Sequence, residues 1–204
     1  MWKVKGALRY FLSILAMTFV QAGVFIYAQK ILSGSFADAD SGQTWQNFML
    51  QIFFIAPYVV MVFFAGFFTN RFSKNKVLAW SSLMMTVFVV AQSVLVTVGC
   101  PRVAFWLSIG LSSGFVIHSA AKYGILKEMF CVRNVSYANA FMQIFSLGGL
   151  IAASWLAIIG VNFIDIEALK SYEAVHRITS HSIVIPWILS GVGVLGTVAS
   201  FLVP

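Results

Sequence analysis

Two short stretches hold most of the polar chemistry of this chain. In one, His118 stands a helical turn before Lys122, and Tyr123 follows directly. An imidazole and an ammonium at that spacing share one helix face. Lys122 can meet an anion, or it can anchor a helix end at a membrane surface. Tyr123 can donate a hydrogen bond or join an aromatic belt, and His118 can line a polar path or stay neutral in a core. The other stretch runs Gly66-Phe67-Phe68-Thr69-Asn70-Arg71-Phe72-Ser73-Lys74-Asn75-Lys76. Gly66 would let a neighbouring helix come close, and Asn70 would satisfy backbone groups where a helix stops. Arg71, Lys74 and Lys76 would hold the turn on one side of a membrane. Gln21, Gln51, Gln92 and Gln143 interrupt apolar runs. A buried glutamine is costly unless paired, so each bridges helices or lines a wet path.

Patterns for catalysis are missing. A histidine base oriented by an aspartate five residues on would need an Asp at 123, 181 or 186, where the chain has Tyr123, His181 and Pro186. Neither a phosphate-cradling loop nor a dinucleotide fingerprint occurs. Glu173, His176 and His181 lie close in sequence, a weak metal signal. The expectation is a protein that is not an enzyme, with no catalytic residue, metal or cofactor.

Positioning such residues falls to helices in a bilayer. Of 204 residues, 60% are hydrophobic, 16% aromatic and 9% charged, with 20 Phe. A soluble domain carries about 25% charged residues, so this chain is an integral membrane protein. Charge-free runs of about 20 residues suit transmembrane helices rather than barrel strands. They predict a single all-α domain over 1–204 with six spans, near 10–30, 47–69, 77–99, 103–121, 138–161 and 183–203. Val20-Gln21-Ala22 resembles a signal-peptide cleavage site, but the apolar run continues through Ala28, favouring a retained first helix.

With a cytoplasmic N-terminus, nine of the 13 basic residues fall inside and five of the six acidic ones outside. That is the positive-inside pattern, and it makes both termini cytoplasmic. Cys100 and Cys131 then lie on opposite sides and cannot bridge.

The Gly66–Lys76 stretch resembles the major facilitator superfamily signature between helices 2 and 3, G-x-x-x-[D/N]-R-x-[G/S]-[R/K]-x-[R/K]. The resemblance implies a conformational gate built from Gly66, Asn70, Arg71, Ser73, Lys74 and Lys76, with Asn70 in place of the usual acid. Further on, Ala121-Lys122-Tyr123-Gly124-Ile125-Leu126, then Glu128 and Ala138-Asn139, resemble the lysophospholipid transporter branch. The chain thus looks like the N-terminal six-helix half of a major-facilitator-type fold. The resemblance implies a multi-pass protein of a bacterial inner membrane that moves lysophospholipid such as lysophosphatidylethanolamine. Lys122, Tyr123, His118 and Gln21 are its implied substrate residues, with Lys122 placed for a phosphate head group.

Two features depart from that branch. The branch carries an acid in helix 1, where this chain reads Phe19-Val20-Gln21-Ala22-Gly23-Val24, and no span holds Asp or Glu; this half offers no evident site for a coupling cation. The superfamily also uses about twelve helices in two halves, so a homodimer, a separate second half or an acyltransferase partner is implied. Alternatives are a non-transporting subunit or remnant, or a facilitator for another amphipathic or anionic solute.

Overall fold

The computed structural model describes residues 6–35, 43–98, 100–130, 132–162 and 180–203. They form six α-helices: α1 (Ala7–Ser35), α2 (Gln43–Arg71), α3 (Lys74–Thr97), α4 (Pro101–Met129), α5 (Val135–Asn162) and α6 (Ser180–Phe201). Glu173, His176 and Cys131 lie outside the described residues, as does the side chain of His181. Four helices contain a stretch long and apolar enough to cross a membrane: Ala7–Gln29, Lys74–Thr97, Val135–Leu156 and Val184–Phe201. A shorter apolar stretch in α2 covers Ile55–Arg71.

The helices run past the charge-free stretches that mark them. α4 continues beyond Ala121 to Met129, so Lys122, Tyr123, Lys127 and Glu128 lie on a helix rather than in a loop. Backbone hydrogen bonds propagate whatever the side-chain polarity; charge marks a membrane edge, not a helix end. Gly6 precedes α1 with φ 89°, in the left-handed region, and its carbonyl accepts from the Tyr10 amide at 2.9 Å. Pro101 opens α4, where the missing N–H is no loss.

α1 leans on α5 and α6, α4 leans on α2 and α3, and α3 packs on α6; α1 and α4 touch more lightly. Exchanging α1–α3 with α4–α6 leaves these neighbours unchanged. Because each triplet is odd, the second would thread a membrane in the opposite sense, as in inverted repeats.

Small residues set the closest approaches. A Cβ on Gly149 would stand 2.6 Å from the Leu15 carbonyl oxygen, and one on Gly110 2.5 Å from the Phe88 ring. Gly66, expected to be such a point, has nothing within 4 Å of a built Cβ. That corrects the sequence reading: the nearby Ala65 and Thr69 are buried, but the Gly66 position itself faces open space.

Two apolar clusters form the interior. One joins Tyr10, Phe11, Leu78, Ile125 and Met142; the other joins Met17, Val20, Met85, Leu111 and Leu189. Hydroxyls knit α3 to α6: Ser82 to Ser200 at 2.8 Å, Thr86 to Thr197 at 2.7 Å and Ser93 to Ser190 at 2.8 Å. Ser13 of α1 joins at Ser200. Phe63, Leu195 and Trp155 point outward, as suits a lipid surround rather than water.

Candidate functional site

The site begins with one buried cation. Lys122 is only 6% exposed. Its ammonium lies 5.3 Å from the centre of the Tyr123 ring and 6.0 Å from that of Phe115, all three groups coming from α4. α1 fixes the backbone beneath: the fully buried Tyr10 hydroxyl donates to the Lys122 carbonyl at 2.6 Å and lies 3.6 Å from Met142 Sδ on α5.

From this centre a strip of polar and aromatic groups extends both ways. Tyr58 of α2 lies 6.1 Å from Phe115, ring to ring, and its hydroxyl accepts from Gln21 Nε2 of α1. On the other side Gln143 of α5 donates to the Tyr123 hydroxyl at 3.3 Å. The strip therefore covers the side where α1 and α4 meet, flanked by α2 and α5 and opposite the α3–α6 seam.

Among the described residues no carboxylate lies within ion-pairing reach of Lys122. Rings facing a cation contribute about 0.5–2 kcal/mol but leave its charge intact. A poorly hydrated ammonium with no carboxylate partner among the described residues is a place for an anion to bind.

Of the four implied substrate residues, Lys122, Tyr123 and Gln21 thus share the strip. His118 turns toward α3: its Nδ1 lies 3.1 Å from the Ser82 hydroxyl and its ring lies 6.5 Å from Phe115. Its Nε2 is buried and without a hydrogen-bond partner among the described residues. Gln92 donates to the Ala104 carbonyl at 2.9 Å and to Ser108 at 2.6 Å, an interhelical brace away from the strip.

The second motif gathers at the α2–α3 turn. Lys74 runs its alkyl stem across Gly124, where a Cβ would stand 2.6 Å from Lys74 Cδ, and pairs with Glu128. The two motif stretches, separate in sequence, are thereby joined. Arg71 sits 5.7 Å from the centre of the Phe67 ring. Ser73 takes the N-cap position of α3 without a side-chain capping bond. Thr69, rather than Asn70, bonds back onto α2, to Ala65 at 2.8 Å and Gly66 at 3.1 Å. Lys76 is exposed.

Tyr10, Tyr58 and Phe115 escape the sequence reading. A signal existed for the tyrosines: a phenol deep in an apolar run must find a partner for its hydroxyl. Phe115 is one of 20 phenylalanines, and nothing in its type or spacing sets it apart.

Two curated transporters resemble the chain. It is 27% identical over 110 residues to the lysophospholipid transporter LplT of Pectobacterium carotovorum, covering 54% of this chain and 26% of that protein. It is 26% identical over 110 residues to the LplT of Yersinia enterocolitica, with the same shares. The match thus spans about a quarter of the length of the curated relatives. No family model matches the chain. No solved structure matches it. The relatives and the four apolar helices support a membrane protein with a transporter-like role.

Proposed function

We propose that this chain is a transporter of the major facilitator type that carries lysophospholipid, such as lysophosphatidylethanolamine, across a bacterial inner membrane by alternating access. All six helices span the bilayer in this reading, with both termini and the basic turns on the cytoplasmic side. The observation that carries the proposal is Lys122: a buried ammonium flanked by rings, without a carboxylate partner among the described residues, inside the Ala121–Leu126 run. The lipid phosphate would meet Lys122 and the Tyr123 hydroxyl, while Phe115 and Tyr58 accept the apolar part. Tyr10 acts as a positioning residue, holding the Lys122 backbone.

Uptake of labelled lysophosphatidylethanolamine into proteoliposomes tests this. A hydrogen bond to a charged group contributes about 1.5–3 kcal/mol, so Lys122→Ala should slow uptake roughly tenfold to a hundredfold. Lys122→Arg should retain part of the activity, and Lys127→Ala should leave it unchanged. Equal uptake by Lys122→Ala and the parent would remove Lys122 from the site. Absence of uptake by the parent, with a stoichiometric partner copurifying, would favour a non-transporting subunit.

A further inference from the structure

α2 and α3 are joined by Phe72 and Ser73 alone, yet both lean on α4 more than on each other. The cleft between them is an open groove of about 480 Å³, walled by Phe68, Phe72, Trp80 and Met84, floored by Ile117 of α4 and closed at one end by Lys76. Phe68 and Phe72 stack along one wall with centroids 6.2 Å apart. Trp80 is 64% exposed on the other. The volume lies in the roughly 300–1,000 Å³ range of ligand sites.

Three observations fix the occupant. The lining is almost wholly apolar, so it takes hydrocarbon. The polar group at its end is an exposed lysine, which calls for an anion there. A tryptophan beside a lysine at a helix end is the pairing found where a membrane meets water. We infer that this groove seats one acyl chain of an anionic diacyl phospholipid from the leaflet nearest the basic turn, its phosphate resting on Lys76. The site is separate from the Lys122 strip. It rests on the membrane reading of the chain but not on the lysophospholipid assignment.

The test uses a variant that keeps Trp80 and replaces Trp2, Trp45, Trp106, Trp155 and Trp187 with Phe, reconstituted in phosphatidylcholine bilayers. Phosphatidylglycerol with brominated chains should quench Trp80 more strongly than equally brominated phosphatidylcholine, with an affinity preference of about fivefold, the scale of one lysine at an anionic surface. Lys76→Gln should abolish the preference while quenching by both lipids persists. A companion variant keeping only Trp155 should show no preference. Equal quenching of Trp80 by both lipids, an unchanged preference in Lys76→Gln, or the same preference at Trp155 would each overturn the proposal. If the fivefold-substituted chain fails to fold, native mass spectrometry of the unaltered protein replaces it: one phosphatidylglycerol should stay bound, be lost in Lys76→Gln and remain in Lys127→Gln. Failure here would leave uptake of lysophosphatidylethanolamine untouched, and failed uptake would leave this site untouched.

Discussion

Replacing Gly149 by alanine tests the packing of α1 on α5 at its tightest point. The added Cβ would stand 2.6 Å from the Leu15 carbonyl oxygen, 3.1 Å from the Phe19 nitrogen and 3.3 Å from Thr18 Cβ. Comfortable carbon contacts are about 3.5–4.0 Å. Two of the three neighbours are backbone atoms, so no rotamer change relieves the clash and the helices must separate locally by roughly 1 Å. Overpacking costs about 1–3 kcal/mol, and a backbone obstacle puts this site at the upper end. Alanine returns about 1 kcal/mol of helix propensity, leaving a net loss near 2 kcal/mol. For a chain of this size that is a fall in Tm of roughly 4–8 °C. Gly66→Ala is the control, because open space surrounds that position; it should gain up to about 1 kcal/mol. Thermal unfolding of both variants in one mild detergent reads the difference. Equal midpoints would refute the close approach of α1 and α5 at this glycine.

Ser82→Val removes the hydroxyl that meets His118 Nδ1 and Ser200; Ser200 keeps Ser13 and the Gly196 carbonyl, but leaving the buried imidazole nitrogen unpaired should cost about 1–3 kcal/mol, measured by the same unfolding assay. The Lys74–Glu128 pair is partly exposed, so Lys74→Ala should change stability by no more than about 1 kcal/mol, with the difference vanishing in high salt. Topology is open to labelling in spheroplasts of a Cys131→Ser background: exposed Cys100 should react with an impermeant maleimide from outside. With Cys100 also replaced, Lys76→Cys should react only after lysis. The reverse pattern would invert the proposed orientation.

The helices were legible in the sequence because lipid forbids unpaired backbone, which makes apolar run length a direct measure of an element. Their ends were not, since Lys122 through Glu128 look like a loop by charge alone and are helical. Lys122 stood out through the resemblance carried by Ala121–Leu126; by residue type alone it reads equally as an anchor at a membrane edge. Its setting did not: Tyr10 reaches it across 112 positions of sequence. Gly66 misled because a glycine that receives a neighbour and one facing open space look alike until helices are placed.

The hydroxyl-bonded contact of α3 with α6 has a mechanical consequence. In hydrocarbon those hydrogen bonds have no water to exchange with, so parting the two helices leaves each hydroxyl stranded. α1 and α4, on the opposite side, touch more lightly, with the Tyr10–Lys122 bond between them among the described residues. The bundle is therefore bound like a book, with α3 and α6 as the stitched spine and the strip around Lys122 along the fore-edge. Any breathing of the bundle opens first where the buried cation lies.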